Sequence, residues 1–153
     1  MVSCLQRHPF LLNGKLEISM YLTFDVGTTS VKTALYDMNG KLMYKVINDY
    51  TLSSSQSGWY EVQPEVYWDA IVDGFREIAE KSGISIRGVK SISGCSQGET
   101  VVFLDDSGRA VRPALVWYDS RARDEISELE EIIGGSDELY RVTGIQGLSL
   151  IHI

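Results

Sequence analysis

Three short strand-like runs joined by turns a few residues long, the first with apolar side chains at every second position, constrain this chain most. From Met20 to Val26, Met20, Leu22, Phe24 and Val26 alternate with Tyr21, Thr23 and Asp25. That two-residue period predicts a strand with one buried face and with Asp25 near its C-terminal end. Gly27 and the hydroxyl-rich Thr28-Thr29-Ser30 form a turn, and a second strand runs from about Val31 to Asp37. Asn39-Gly40 is the strongest short hairpin signal in the chain, since both residue types tolerate positive φ. A third strand, from Lys41 to about Tyr50, then pairs back. The opening of the chain is therefore a three-stranded antiparallel meander.

Beyond it the period changes. Thr51–Gly58 is polar and serine-rich, a loop. Gln63-Pro64-Glu65 starts a helix, with proline at the first helical position and an acid in the first turn. Tyr67, Ile71, Phe75 and Ile78 recur at helical spacing, and Ser82-Gly83 closes the helix at a residue that accepts left-handed geometry. A strand is expected near Val89–Ser93. Two more, Val101–Leu104 and Ala110–Trp117, are expected to join across Asp106-Ser107-Gly108. A last helix, from about Ser120 to Ile133, is expected to bury Ala122, Ile126, Leu129 and Ile133 and to stop at Gly134-Gly135. The order β-β-β-α-β belongs to a mixed α/β layer fold, with no linker inside it.

Composition narrows the function classes. The 153 residues carry a net charge of −7, with 14 basic and 21 acidic side chains, which argues against a nucleic-acid surface. No apolar run is long enough for a membrane-spanning helix. Two cysteines far apart, Cys4 and Cys95, make no disulfide framework and fit a reducing cytoplasm. Met1–Ser19 has no clean period, so residues 1–19 read as a leader that is non-native or disordered. The alternative is a genuine N-terminal extension with a short edge strand.

Chemistry concentrates at two turns. In Asp25-Val26-Gly27-Thr28-Thr29-Ser30-Val31-Lys32, glycine lets a phosphate approach the backbone, hydroxyls and N–H groups can donate to it, and Lys32 adds positive charge. Asp25 would repel a phosphate directly; its role there is to hold Mg²⁺ through water. An ordinary hairpin turn decorated with threonines is the structural alternative. The segment is not a P-loop, and the chain has neither a dinucleotide fingerprint nor protein-kinase signatures. The second turn is Gln97-Gly98-Glu99, whose carboxylate can accept hydrogen bonds from two hydroxyls. Asp119 reads equally as a cap for the last helix or as part of a substrate pocket. Trp59, Trp68 and Trp117 read as packing anchors, and Arg121 and Arg123 as helix-surface or interdomain ion pairs.

Four ordered motifs carry a resemblance. Phe24–Lys32 resembles the first phosphate motif of the FGGY carbohydrate kinases. Gly58-Trp59-Tyr60-Glu61-Val62-Gln63-Pro64-Glu65 is similar to the segment that leads into that family's first helix. Ser93–Val102 resembles its sugar-contacting strand and turn, and Arg112–Arg121 its Arg-Pro-Ala…Trp-x-Asp-x-Arg segment. The match runs over 20–144, the expected domain.

This resemblance implies an α/β, actin-like (ribonuclease-H-like) ATPase fold, present as an incomplete N-terminal domain. It implies ATP and Mg²⁺ as cofactors and a small sugar or polyol as substrate. Gly27, Thr28, Thr29, Ser30 and Lys32 stand at the nucleotide phosphates, Asp25 at the metal, and Gln97, Gly98, Glu99 and Asp119 at the substrate. Gly98 departs from the Gln-Arg-Glu of glycerol kinases by removing a donor, which disfavours glycerol and leaves room for a larger sugar. The family's catalytic Asp and its adenosine site lie downstream of residue 153, so the resemblance implies a chain inactive alone. It leaves open a homo-oligomeric parent. Residues 145–153 depart from the family pattern and read as a non-native tail, with natural truncation or a frameshift as alternatives. A non-catalytic relative that senses sugar or nucleotide for a partner is the competing functional class, and a free-standing phosphate-binding module a third.

Overall fold

A computed structural model of the chain describes residues 11–12, 15–16 and 19–144. In the expected leader, Leu11–Leu12 (β1) and Lys15–Leu16 (β2) form an antiparallel sheet of their own, pairing Leu11 with Leu16 and Leu12 with Lys15. The rest of that segment up to residue 18, and the expected tail, lie outside the described residues. From Met20 the chain forms two compact units. One comprises the chain up to Asn48 with Ala70–Cys95, the other Asp49–Asp69 with the chain from Ser96 onwards.

The first unit contains the expected meander. β3 (Met20–Val26), β4 (Ser30–Asp37) and β5 (Leu42–Asp49) are consecutive neighbours, and β7 (Val89–Ser96) lies on the free side of β3, giving the order β5-β4-β3-β7. All seven residues of β3 pair antiparallel with β4, from Met20 opposite Asp37 to Val26 opposite Val31. Partners across an antiparallel ladder share a face. The pairs Leu22–Leu35, Phe24–Thr33 and Val26–Val31 therefore line one face, and Asp25–Lys32 the other. A cluster of Met20, Leu22, Leu35, Val46 and Ile78 forms the core, with Met43, Tyr44, Phe75, Ile84 and Val89 against it.

The Asn39-Gly40 hairpin forms in a different turn from the one its dipeptide suggests. Only Gly40 has positive φ, at 77°. Asp37 N donates to Lys41 O across a three-residue loop, and Gly40 N donates back to Asp37 O. The Asp37 carboxylate takes Asn39 N–H and Lys41 N–H as well, an Asx-turn arrangement that lets Asn39 stay right-handed.

Helix α1 (Glu65–Lys81) crosses from the second unit into the first. It ends as expected before Gly83, at φ 70°, and buries Ala70, Ile71, Gly74 and Ile78. Gly74 is the point of closest approach to the sheet. A Cβ there would overlap the Thr33 side chain, which is fully buried. On the same face the Phe24 ring lies edge-on to Phe75 at 6.3 Å and covers Gly94 of β7 so closely that any side chain at 94 would overlap it.

In the second unit the expected strands break up. Val101–Leu104 and Ala110–Trp117 meet only at the single bridges Val101–Leu115 and Leu104–Ala110. The regular ladder there is β8 (Ala114–Leu115) against β6 (Glu61–Val62), the latter read from sequence as the approach to a helix. The turn itself forms: Gly108, at φ 79°, donates to Asp105 O, and Asp105 N donates to Arg109 O. Val62, Ala114 and Val116 make this unit's core, under Tyr50, Leu52, Tyr60, Val66, Tyr67 and Tyr118. The last expected helix starts later, as α2 (Arg123–Ile133), and stops at Gly134 as expected. None of its residues is fully buried. α3 (Ser136–Thr143) was not expected; it buries Leu139.

The Thr33 hydroxyl, sealed under Gly74, has no hydrogen-bond partner among the described residues. A buried, unsatisfied hydroxyl costs about 1–3 kcal/mol. Thr33→Val is therefore expected to raise stability by about 1 kcal/mol in urea unfolding. Gly74→Ala gains about 1 kcal/mol of helix propensity, yet overpacks Thr33 at a cost of about 1–3 kcal/mol, so it is expected to lower stability.

Candidate functional site

The β3–β4 turn holds the first set of candidate residues. Gly27 N donates to Ser30 O at 2.9 Å, leaving Thr28 and Thr29 at the tip. A Cβ on Gly27 would lie 3.2 Å from that oxygen, so the turn closes this tightly only around glycine. Neither threonine adopts positive φ, as expected of β-branched residues. The ladder places Lys32 opposite Asp25, and Lys32 Nζ donates to Asp25 Oδ2 at 3.4 Å. Both side chains are about half exposed, so the pair adds little stability and remains available to a ligand. Cys95 Sγ donates to Asp25 Oδ1 at 3.4 Å. That hydrogen bond, with some burial, raises the thiol's pKa and keeps it protonated near neutrality.

Among the described residues no group of three or more His, Cys, Asp or Glu side chains could cage a metal. Asp25 alone suits Mg²⁺, which keeps several waters and shares its shell with phosphate oxygens.

The second set lies on the turn after β7. Gln97 Nε2 donates to the Tyr67 hydroxyl at 3.1 Å, and Gln97 Oε1 is buried without a partner among the described residues. Burial raises the Tyr67 pKa, only partly opposed by the Gln97 hydrogen bond. Thr100 N donates to Gly98 O at 2.9 Å, which closes a three-residue γ-turn with Glu99 at its centre, at φ 62°. That is the rarer, positive-φ hand of the turn. Glu99 is the one non-glycine residue with positive φ among the described residues, a conformation that costs about 1–3 kcal/mol. Its side chain is exposed, and a Cβ on Gly98 would meet nothing within 4 Å.

Asp119 is not a helix cap. α2 begins after Ala122, with no side-chain cap. The Asp119 side chain is fully buried and accepts from Tyr60 N at 2.7 Å, Arg121 N at 3.0 Å, Arg121 Nε at 2.8 Å and Arg121 Nη2 at 2.7 Å. Burial pushes its pKa up, but these donors outweigh it and the net shift is downward. Nor is Arg121 a helix-surface residue: it also pairs with Glu61 at 2.9 Å and stacks over the Trp59 ring at 4.0 Å. Trp59 is partly buried beneath Arg121, whereas Trp68 is two-thirds exposed and Trp117 43% exposed, so neither of these two is a buried anchor. Asp119 lines a cleft of about 530 Å³ with Tyr60, Trp117, Tyr118, Ser120 and Arg123.

The structure thus gathers Asp25, Gly27, Thr28, Thr29, Ser30 and Lys32 at one turn and Gln97, Gly98 and Glu99 at another, and fixes Asp119 by its own ion pair. Sequence alone does not place Tyr67 or Cys95 at the site, and it marks Arg121 as an ion-pair residue without naming its partners Asp119 and Glu61. The Trp59-Tyr60-Glu61 and Asp119-Ser120-Arg121 segments held the signal for Arg121, in two acids and an aromatic near one arginine.

The sheet and its crossover helix define the class, a mixed α/β layer of the actin-like ATPases. A model of the FGGY family of carbohydrate kinases, N-terminal domain, matches residues 20–151. The chain belongs to this family. It is 34% identical to a glycerol kinase of Treponema denticola over 81% of its own length and 25% of that protein's. It superposes on the gluconate kinase of Lactobacillus acidophilus with a TM-score of 0.73 at 27% identity, covering 81% of this chain and 24% of that one. For the xylulose kinase of Rhodospirillum rubrum the TM-score is 0.72 at 29% identity, covering 79% and 25%. The chain spans about a quarter of the length of these relatives.

Removing one partner of a buried ion pair costs about 3 kcal/mol or more. Asp119→Asn and Arg121→Ala are each expected to lower unfolding free energy at pH 7 by about that amount. Because Asp119 titrates below the ordinary 3.8 when folded, its contribution is complete above that value and fades as pH falls through the folded pKa. Acid titration of stability is therefore expected to close the gap between wild type and Asp119→Asn as pH falls below the ordinary 3.8 and through the lower folded pKa.

Proposed function

We propose that this chain is the leading part of an ATP-dependent kinase that phosphorylates a hydroxyl of a sugar or polyol. The observation that carries the reading is Glu99. An exposed carboxylate is held at the centre of a strained γ-turn, at a position where glycine would sit without cost, next to open space at Gly98. Strain of this kind persists where the residue has work to do. A carboxylate with free lone pairs can accept from two neighbouring hydroxyls.

In this reading Gly27–Ser30 receive the nucleotide phosphates through backbone and hydroxyl donors, with Lys32 offsetting their charge. Mg²⁺, when bound, neutralises charge on the phosphate oxygens, and Asp25 is the residue that holds it through water. Gln97 and Glu99 orient the sugar so that one hydroxyl lies in line for attack. The room beside Gly98 suits a substrate larger than glycerol. Asp119, its oxygens already engaged, shapes the cleft rather than binding sugar directly. In this reading the two turns supply phosphate and sugar contacts but no base for the attacking hydroxyl, so they transfer no phosphate unaided. A cytoplasmic protein fits this chemistry, and the described residues include no helix long and apolar enough to cross a membrane.

An ADP-release assay tests this. The purified 153-residue chain with ATP, Mg²⁺ and glycerol, D-xylulose or D-gluconate is expected to release none above background. The longer protein read from the same gene is expected to turn over a sugar larger than glycerol, and Glu99→Ala to reduce its kcat/KM at least about a hundredfold, as lost hydrogen bonds to substrate hydroxyls do. Turnover by the short chain, or full activity of Glu99→Ala, would contradict the reading. Glu99→Gly is expected to raise thermal stability, since strain of about 1 kcal/mol or more is released, while activity is lost.

A further inference from the structure

A strained turn relaxes unless its flanks are held. On the C-terminal side of Glu99 the hold is backbone pairing. Val101 N donates to Leu115 O and Leu115 N to Val101 O, each at 3.0 Å, and Trp117 N donates to the Thr100 hydroxyl at 3.2 Å. On the N-terminal side Gly98 supplies no side chain to pin the backbone, and the side-chain tie is the bond from Gln97 Nε2 to the Tyr67 hydroxyl. Tyr67 is itself well anchored. It lies in the first turns of α1, packs against the core of Val62, Ala114 and Val116, and meets Tyr50 edge-on at 5.4 Å. Its hydroxyl is the polar tip of a mostly apolar side chain, and a buried tyrosine hydroxyl takes a partner where it can.

We infer that Tyr67 is a positioning residue for the sugar turn. Its hydroxyl fixes the Gln97 amide, and the fixed amide holds Gly98 and Glu99 in the γ-turn that presents the Glu99 carboxylate. The inference rests on the proposed role of Glu99 and adds a residue that never touches the sugar. The fixed amide also explains why Gln97 Oε1 is tolerated without a partner. Turning the amide over would trade that orphan acceptor for orphan N–H donors, with the tyrosine as the single partner either way among the described residues.

The test uses Tyr67→Phe, which removes one oxygen and leaves the ring packing in place. Backbone and side-chain amide NMR spectra of the 153-residue chain are recorded for wild type, Tyr67→Phe and Glu99→Ala, each alone and titrated with D-xylulose, D-gluconate and glycerol. Expected for Tyr67→Phe are shifted Gln97 side-chain amide signals and moved Glu99 and Thr100 backbone amides. The expected loss of sugar affinity is about five- to tenfold, the worth of one hydrogen bond. Signals of the Val62, Ala114 and Val116 core are expected to stay in place. Unmoved Glu99 and Thr100 amides overturn the inference, as do moved amides with unchanged sugar affinity. Glu99→Ala separates the two levels. If it abolishes sugar-induced shifts while Tyr67→Phe changes nothing, only the role of Tyr67 falls. If Glu99→Ala binds as wild type does, or wild type responds to none of the sugars, the sugar turn falls and Tyr67 with it.

Discussion

The seven-pair ladder between β3 and β4 sets the geometry on which the first unit depends. A strand's side chains alternate strictly, so a slip of one residue would exchange its two faces. In the observed register Leu22, Phe24 and Val26 share the inner face with Leu35, Thr33 and Val31, and α1 packs there through Gly74 and Phe75. The same register brings Asp25 opposite Lys32 and closes Gly27 on Ser30. Slipped by one, Phe24 would leave the helix and Asp25 would enter the core, where an unpaired carboxylate is costly. Hydrophobic burial thereby fixes the placement of a charged pair that contributes little stability of its own.

The second unit works by a different economy. Its strands are short, and order comes from polar anchors set into an aromatic core. Arg121 ties Asp119 to Glu61 and covers Trp59, so one guanidinium joins the loop before β6 to the loop after β8. Such a buried pair is no guarantee of net stability, but it allows few alternative packings. Against that fixed frame the Glu99 turn stands in a conformation that its own backbone disfavours. Rigid support around a strained, exposed side chain is the arrangement expected for binding rather than packing.

How far the sequence disclosed this depended on whether local or distant contacts decide each element. The meander, α1 and the stop at Gly134 follow from period, proline and glycine placement, and all appear at or near the expected residues. Val101–Leu104 and Ala110–Trp117 have strand composition, yet only Ala114 and Leu115 find a ladder partner, because Glu61–Val62 claims them from far along the chain. Nothing local announces that pairing. The start of α2 was misplaced for a related reason. Asp119 looks like a helix cap until its long-range bond to Tyr60 N is known. The Gly27–Ser30 and Gln97–Glu99 turns were legible as motifs. The positive φ at Glu99 was not, since glutamate gives no sign of left-handed backbone, and Tyr67 read as one more apolar position on a helix.

The proposed sugar contact rests on Glu99, and a crystal structure of a protein that contains this segment, grown with a candidate sugar, tests that residue directly. The prediction is a sugar hydroxyl within about 2.6–3.0 Å of the Glu99 carboxylate, with Glu99 still at positive φ. A sugar bound clear of Glu99, or a Glu99 relaxed to negative φ with sugar in place, would contradict it.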